Sequence, residues 1–365
     1  MPSALGYFFF SFVLTLGFIW ALALIAPKVG LIDTPDYRKH HKGAIPVVGG
    51  IAILLTFITS TVISGEQTQS VLGASGATVW VFLLAATLLT ILGALDDYRA
   101  IGVMTRTICE VLIALLLVEG LDLIPRNLGD LVGSGNIRVP DWAAYPFALI
   151  AIFGVINAYN MLDGIDGLLS SLILITVTAF HLFTQIEPSF VSLTLGGALA
   201  AFLVSNLELA PFVPKTFLGD AGSKLLGFIV VSLILVVTTK QISGEKYIAP
   251  VTALYLVALP LFDMVFITLR RIYGRKSPFS ADRSHIHHLM NDLDMSQKRS
   301  VALISCAYLT PAFIGLMLDR AGAATPQQFF IFLGLFIGYC LIMSQAWRVA
   351  KRYQALKLQV QLQTD

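Results

Sequence analysis

The chain has 365 residues, of which 56% are hydrophobic and only 13% are charged, about half the charged fraction of an ordinary soluble domain. This composition predicts an integral membrane protein and excludes an ordinary soluble fold. The net charge of +2 is too small to indicate nucleic-acid binding. The three cysteines, Cys109, Cys306 and Cys340, lie within apolar runs and show neither a disulfide framework nor a metal-binding spacing.

About eleven apolar runs are long enough to cross roughly 30 Å of hydrocarbon as helices. They fall near residues 5–26, 46–64, 77–95, 105–123, 143–161, 167–184, 190–208, 222–240, 248–268, 300–318 and 327–346. The first run is interpreted as an uncleaved span, because its first lysine, Lys28, follows the apolar stretch, whereas a signal peptide carries positive charge before it. The sequence therefore predicts an all-α polytopic bundle, with one domain over residues 1–346 and a basic tail over 347–365.

Lysine and arginine are distributed unevenly between the two sides of this bundle. Nineteen of the 24 fall on one side, which we predict to be cytoplasmic because positive residues accumulate in cytoplasmic loops. The N-terminus is then outside and the C-terminus inside. The predicted cytoplasmic loops are 27–46, 95–105, 157–167, 209–222 and 269–300. The basic and partly apolar tail predicts either a helix lying on the anionic inner leaflet or a solvated segment.

The carboxylates converge on these cytoplasmic loops, often beside glycine. Asp96 and Asp97 end the third span, Asp163 and Asp166 lie in NAYNMLDGIDG, and Asp220 lies in FLGDAG. A carboxylate beside glycine at a helix terminus can hold phosphate oxygens together with backbone N–H groups and a bound cation. Any one pair is better explained as a helix cap or boundary. Several on one side indicate a site for phosphate and Mg²⁺, which takes only one or two protein oxygens.

The loop 269–300 supplies the opposite charge, and its central part reads RRIYGRKSPFSADRSHIHH. Zinc binding is disfavoured, because His285, His287 and His288 lack the i,i+4 spacing of helical zinc ligands and no cysteine lies nearby. Basic and imidazole donors that face carboxylates and Mg²⁺ are typical of sites that stabilise a diphosphate during phosphoryl transfer. In the first loop, Lys39 is interpreted either as a substrate contact or as an anchor to anionic lipid.

Two other classes of protein would also place polar groups in a membrane bundle. A transporter or channel usually holds its cation site near the midplane on broken helices, whereas these acids cluster at one interface. A lipid-binding scaffold without catalysis would not require so complete a set of acidic and basic groups. Both classes are therefore less consistent with the pattern than an enzyme.

Four ordered motifs carry a resemblance to a known family. They are the aspartate pair in GALDD, NAYNMLDGIDG, FLGDAGS and PFSADRSHIHH, and the similarity covers about residues 28–290. Together they resemble the polyprenyl-phosphate N-acetylhexosamine-1-phosphate transferases. The HIHH string is most similar to the bacterial WecA-type branch, which transfers GlcNAc-1-phosphate from UDP-GlcNAc to undecaprenyl phosphate, whereas muramoyl-pentapeptide transferases carry a different histidine string.

The resemblance implies a catalytic domain over residues 1–346 in the bacterial inner membrane, with its active site on the cytoplasmic face. The reaction would be the first membrane step of a cell-envelope polysaccharide such as O-antigen. It implies UDP-GlcNAc, undecaprenyl phosphate and membrane lipid as partners and Mg²⁺ as the cofactor. It leaves open another UDP-N-acetylamino sugar, substitution by Mn²⁺ and a homodimer.

The resemblance also implies a role for each matching position. The expected catalytic residues are Asp96, Asp97, Asp163 and His285, with the aspartate pair near the lipid phosphate. The expected metal ligands are Asn160 and Asp220. The expected substrate-binding residues are Asn157, Gly164, Ile165, Asp166, Arg283, His287 and His288; Lys39 joins them on the substrate-contact interpretation of the first loop. Within this set Asp166 and the backbone of Gly164 and Ile165 would recognise uracil, and Asn157 would hold the turn.

The need for a general base is left open by the chemistry of the acceptor. A phosphate monoester has its second pKa near 6 and is largely deprotonated at neutral pH. If a base is required, Asp97 or Asp96 would supply it. The alternative is that this pair steers the substrate or has a structural role.

Overall fold

The computed structural model of the chain describes residues 4–34, 43–64, 76–185, 190–239, 248–277 and 284–364. Within these ranges a single two-stranded antiparallel sheet pairs β1 (Ile32–Asp33) with β2 (Ile45–Pro46). The helices are α1 (Ala4–Val29), α2 (Gly49–Ser64), α3 (Gly76–Tyr98), α4 (Val103–Leu121), α5 (Asp141–Leu162), α6 (Leu168–Thr184), α7 (Phe190–Asn206), α8 (Gly219–Thr239), α9 (Pro250–Leu254), α10 (Ala258–Tyr273), α11 (Ile286–Asp292), α12 (Gln297–Arg320) and α13 (Thr325–Thr364).

Seven helical segments of the described residues are long and apolar enough to cross a membrane. They are α1, α3, α5, α8, the α9–α10 segment, α12 and α13. The helices α2, α6 and α7 are apolar but shorter, and α4 carries Arg106, Glu110 and Glu119 among its 19 residues. The predicted all-α polytopic membrane fold is confirmed. The number of spans and the sides on which the termini lie stay predictions.

The ninth predicted span, 248–268, is a broken helix in the structure. A 3₁₀ turn over Tyr255–Val257 separates α9 from α10, and Pro260 follows it. Proline has no N–H and cannot donate to the carbonyl four residues earlier. That carbonyl, on Leu256, instead accepts a hydrogen bond from Tyr308 Oη at 2.8 Å. The interruption is thus stabilised by a side chain from α12.

Two helices extend into segments that the sequence predicts as a loop and as a tail. The helix α10 ends at Tyr273, inside the predicted loop 269–300, which also contains α11. The helix α13 runs without interruption through the predicted tail. Its last turns are anchored near α11, because Tyr353 Oη and Lys357 Nζ donate to Asp294 Oδ2 at 3.1 and 2.6 Å. The tail therefore packs against the histidine-bearing segment.

The helix α8 lies at the centre of the bundle and is buried along nearly its whole length. Glycines on its neighbours allow close approach to its first turns. A Cβ placed on Gly50 of α2 would lie 2.2 Å from the backbone N of Gly222, and one on Gly93 of α3 would lie 2.5 Å from Ala221 Cα. Only glycine fits these crossings, which bring α2 and α3 directly against the start of α8.

The start of α8 is also tied to the first loop through the backbone. Phe217 N donates to Pro46 O at 2.9 Å, and Gly49 N donates back to Phe217 O at 3.0 Å. Gly50 N donates to Leu218 O at 3.2 Å. This short parallel pairing fixes the FLGDAGS segment relative to β2, so that Asp220 is held at one end of the bundle.

Candidate active site

The two aspartates at the end of α3 have different partners. Asp96 Oδ1 accepts a hydrogen bond from Ile101 N at 2.8 Å, and its Oδ2 accepts one from Arg106 Nη1 at 2.9 Å. The same Oδ2 lies 3.4 Å from Lys224 Nζ. Asp96 therefore joins α3 to α4 and α8 through charge, with both of its oxygens engaged.

Asp97 caps the N-terminus of α8 across the helix interface. Its Oδ1 accepts the N–H of Asp220 at 3.0 Å, and its Oδ2 accepts the N–H of Ala221 at 3.2 Å. A carboxylate at this position satisfies N–H groups that have no partner within the helix and is stabilised by the helix dipole. Gly219 has a φ of +70°, and a Cβ there would lie 2.5 Å from Asp97 Oδ2. Glycine is thus required for the cap.

The two asparagines of NAYNMLDGIDG point from the last turns of α5 to different helices. Asn160 Nδ2 donates to Asp220 Oδ1 at 3.0 Å and to Ser223 Oγ at 2.8 Å, both on α8. Asn157 Nδ2 donates to Glu110 Oε2 on α4 at 2.8 Å. Three-residue steps along a helix rotate successive side chains by about 60°, which explains why the two amides do not share a partner.

A buried lysine lies behind the surface of this site. Lys224 Nζ is 3.4 Å from one oxygen each of Asp96, Glu110 and Asp220. Its side chain is fully buried, and that of Glu110 is 1% exposed. Burying an ion costs several kcal/mol unless it is well paired, so the cation and the carboxylates depend on one another.

The LDGIDG turn between α5 and α6 is held from both sides. Gly167 has a φ of +76° at the start of α6, and its N–H donates to Asn206 Oδ1 at 2.6 Å. Asn206 Nδ2 in turn donates to Thr216 O at 3.0 Å. Because Asn206 is buried at the end of α7, the turn is fixed relative to the segment that leads into α8.

Asp163 lies in this turn among other acids and is half-buried. Burial, together with the negative charges of Asp220, Asp97 and Asp166, raises the pKa of Asp163 to about 8. Desolvation and like charges both disfavour the ionised carboxylate. At neutral pH this side chain therefore holds a proton.

Asp166, the expected uracil contact, is paired with a lysine from the loop before α8. Lys215 Nζ lies 3.0 Å from Asp166 Oδ2 and 2.8 Å from Glu208 Oε1. Burial would lower the pKa of Lys215, but the hydrogen bonds that it donates to Glu208 and Asp166 outweigh this effect and raise the pKa. The lysine therefore stays charged at the rim of the site.

The histidine string reaches the LDGIDG turn. A Cβ placed on Gly164 would lie 2.4 Å from His287 Nε2, so the His287 ring packs directly on that glycine. The rings of His285 and His287 are parallel, with centroids 5.9 Å apart, and the His287 and His288 centroids are 4.1 Å apart. Residues about 120 positions apart in sequence thus form one surface.

A buried aspartate on α10 orients the histidine string. Asp263 Oδ2 lies 2.7 Å from His285 Nδ1, and its Oδ1 accepts hydrogen bonds from Ile286 N at 3.3 Å and Tyr339 Oη at 2.8 Å. A carboxylate that binds one imidazole nitrogen fixes both the tautomer and the ring orientation. His285 is thereby held with its Nε2 as the nitrogen that remains for a substrate.

Replacing Asp263 with alanine should reduce turnover by about 10- to 100-fold, because the lost charged hydrogen bonds leave His285 without an orienting partner. The matched control is Tyr339→Phe, which removes one donor to Asp263 but leaves its contact with His285; it should cost less than the alanine variant. Steady-state rates of both purified variants check this. Equal losses in the two variants would contradict an orienting role for Asp263.

The structure brings together most of the residues expected from the sequence. Asp96, Asp97, Asn157, Asn160, Asp163, Gly164, Ile165, Asp166, Asp220, His285, His287 and His288 all lie at the end of the bundle where α3, α5, α8 and α11 meet. Lys39 and Arg283 lie outside the described residues. The individual roles expected for these side chains stay predictions.

Four contributors were missed as site residues by the sequence reasoning. They are Lys224, Arg106, Glu110 and Asp263, none of which belongs to the set of site residues expected from the sequence. A signal existed for Glu110 and Lys224, because an ionisable residue within an apolar span is by default a candidate for function. No sequence spacing connects Asp263 with His285.

The donor set around Asp220 fits Mg²⁺. Asp220 and Asn160 offer two oxygen-bearing side chains in contact with each other, and the Asp220 side chain is 32% exposed. No group of three or more His, Cys, Asp or Glu side chains among the described residues is arranged for a metal ion. Mg²⁺ itself typically takes one or two protein ligands and completes its shell with water and phosphate. Asn160 now turns its Nδ2 to Asp220, so ligation through Oδ1 requires the amide to rotate.

Carboxylates, amides and imidazoles lie together at one end of the membrane helices. This arrangement defines a multi-pass membrane enzyme of the phosphate-transferring class. The sequence profile of Glycosyl transferase family 4 matches residues 79–238. An undecaprenyl-phosphate alpha-N-acetylglucosaminyl 1-phosphate transferase of Yersinia pestis is 33% identical over 95% of this chain and 93% of its own length. Proteins of the same name from Escherichia coli K12 (33%, 95% and 92%) and Haemophilus influenzae (31%, 95% and 96%) are also similar. The chain belongs to this transferase family.

Proposed function

We propose that this enzyme transfers GlcNAc-1-phosphate from UDP-GlcNAc to undecaprenyl phosphate, giving undecaprenyl-diphospho-GlcNAc and UMP. The observation that carries the proposal is the convergence of the α3 aspartate pair, the Asn160–Asp220 pair, the LDGIDG turn and the histidine string at one end of the bundle. Near full-length similarity to transferases of that name supports the same substrates here.

The reaction joins two anions, so the site has to place them and offset their charge. An oxygen of the lipid phosphate attacks the β-phosphorus of UDP-GlcNAc, and the bond from that phosphorus to the bridging oxygen breaks, which releases UMP. The nucleophile hardly needs a general base, because a phosphate monoester is mostly deprotonated at neutral pH. The protein is therefore expected to act mainly through positioning.

The geometry of the aspartate pair favours the positioning alternative over a general base. Asp97 already accepts two backbone N–H groups of α8, and Asp96 is held by Arg106 and Ile101. If Asp96 or Asp97 accepted a proton from the substrate, the hydrogen bonds that fix the start of α8 would be broken. We infer that the pair places the Asp220 turn where the diphosphate arrives, and that Asp163, with its pKa near 8, is the better proton-exchanging group.

Mg²⁺ held by Asp220 and Asn160 would neutralise diphosphate oxygens and act as a Lewis acid toward the departing UMP. The imidazoles of His285, His287 and His288 would supply donors to the sugar and the diphosphate. Lys215 and Asp166 form the rim at which the uracil is expected. These groups surround the reacting phosphorus with charge of both signs.

The membrane setting supports a cytoplasmic site. UDP-sugars are cytoplasmic, and nineteen of the 24 lysines and arginines are predicted to lie on the same side as the acids. We propose the bacterial inner membrane as the location, with the site at the inner interface. A cation-coupled transporter is less consistent, because the polar groups lie at one end of the helices and not at the midplane.

The direct test uses the purified full chain with UDP-[³H]GlcNAc, undecaprenyl phosphate and Mg²⁺. We expect a chloroform-soluble labelled lipid and one UMP released per lipid, with EDTA abolishing both. Parallel reactions with UDP-GalNAc and other UDP-N-acetylamino sugars identify the preferred sugar. Absence of a lipid product with every sugar nucleotide and metal would contradict the proposal, whereas a product from a different sugar alone would change only the sugar.

A further inference from the structure

Lys224 is a buried cation that lies among three carboxylates near the site. It is fully buried and follows Asp220 by one helical turn. Its Nζ lies at the same distance, 3.4 Å, from Asp96 Oδ2, Glu110 Oε1 and Asp220 Oδ2. Charge-assisted hydrogen bonds are usually about 2.7–2.9 Å long. The ammonium is therefore shared among three carboxylates and bound closely to none.

The third carboxylate has its own support and reaches neither metal ligand. Glu110 lies on α4, and Asn157 Nδ2 donates to its Oε2 at 2.8 Å. Glu110 Oε1 faces Lys224. Glu110 thus acts on Asp220 only through Lys224, which it holds away from a closer contact with Asp220.

Lys224 and Arg106 offset part of the negative charge around Asp220 before any cation binds. Three carboxylates (Asp96, Glu110 and Asp220) face two cations (Lys224 and Arg106). A divalent cation at Asp220 would meet the ammonium across a site of low dielectric, where like charges a few ångströms apart repel strongly. The diphosphate of a nucleotide sugar adds negative charge and would remove that repulsion.

We propose that Lys224, set by Glu110, is a positioning residue that weakens divalent-cation binding at Asp220 until a diphosphate is present. The inference rests on the proposed function, because it assigns the metal to Asp220. The repulsion between Lys224 and the cation makes the binding of metal and nucleotide sugar cooperative. The site therefore does not retain the cation after the products leave.

The test measures Mn²⁺ binding to the purified full chain in neutral detergent, from the electron paramagnetic resonance signal of free Mn²⁺, with and without UDP. The Asp220→Asn variant measures the Mn²⁺ that binds to the protein at sites other than Asp220. Lys224→Met should bind Mn²⁺ at least about tenfold more tightly than the parent without UDP, and UDP should tighten its binding less. Glu110→Gln should weaken binding several-fold. The double variant should bind Mn²⁺ about as tightly as Lys224→Met, because Glu110 is proposed to act through Lys224.

The two single variants are expected to change Mn²⁺ affinity in opposite directions. Glu119→Gln removes the same charge from the far end of α4 and should leave Mn²⁺ affinity unchanged. If Lys224→Met does not fold, the Glu110→Gln result decides. If the folded variants keep the Mn²⁺ affinity of the parent, the inference is overturned, even when the parent protein makes lipid product. If the parent protein makes no lipid product, the proposed function is overturned instead.

Discussion

Asp220→Asn is expected to lower turnover by about 100-fold or more and to shift the Mg²⁺ titration to higher concentration. The carboxylate is the charged member of the proposed metal pair, and the loss of a charged ligand weakens both cation binding and its electrostatic effect on the diphosphate. The substitution keeps the size of the side chain and can still accept from Asn160. Initial rates over a Mg²⁺ series, with lipid product as the readout, measure both effects.

The matched control is Asp141→Asn. Asp141 lies at the opposite end of α5, where it pairs with Arg126 at 2.7 Å and is mostly exposed, so its loss should leave both rate and Mg²⁺ dependence unchanged. An Asp220→Asn variant with the parent rate and the parent Mg²⁺ titration would remove Asp220 from the metal site.

Asp163→Asn is expected to abolish most activity while making the folded protein more stable near pH 8. The folded-state pKa of about 8 lies well above the ordinary value of 3.8. Between these pH values the folded protein holds a proton that the unfolded chain has released, so stability falls as pH rises through this window. Asparagine at this position has no proton to release, so the variant does not lose stability in this way as the pH rises.

The size of the gain follows from the same shift. One pKa unit corresponds to about 1.4 kcal/mol, but solvent screens a half-buried carboxylate, so we expect about 1–2 kcal/mol at pH 8. Melting temperatures in EDTA at pH 5 and pH 8 measure the difference between the variant and the parent. The gain should be larger at pH 8.

The loss of activity in the same variant separates function from packing. Turnover should fall by about 100-fold or more if Asp163 exchanges a proton or stabilises the reacting groups. The parent rate should rise with pH toward the pKa of Asp163, and the variant should lose this dependence. A variant that is less stable at pH 8, or that keeps the parent pH profile, would contradict the assignment.

The sequence predicts the membrane bundle because hydrophobic runs of about 20 residues have few alternatives to a membrane helix. The same signal cannot detect the break at Tyr255–Val257, since the apolar pattern continues across Pro260. Nor does it show that α13 continues to Thr364. That extension depends on contacts with Asp294 near α11, and such tertiary contacts have no local pattern.

The candidate site is predictable where chemistry and sequence spacing coincide. Asp163 and Asp166 lie in one glycine-containing turn, and the structure keeps them together. The internal network of Lys224, Glu110 and Asn157 is different, because α4, α5 and α8 each supply one member. Lysine at the edge of an apolar run is usually an interfacial anchor, and only packing shows that this one is buried.

The most direct measurement of the central claim follows the phosphorus atom itself. Purified protein is incubated with UDP-GlcNAc labelled with ³²P at the β-phosphate, undecaprenyl phosphate and Mg²⁺. We expect the ³²P to move into the chloroform-soluble lipid together with the sugar, and the released nucleotide to be unlabelled UMP. Release of labelled UDP, with sugar but no ³²P in the lipid, would contradict attack at the β-phosphorus and with it the proposed transfer of a phosphosugar.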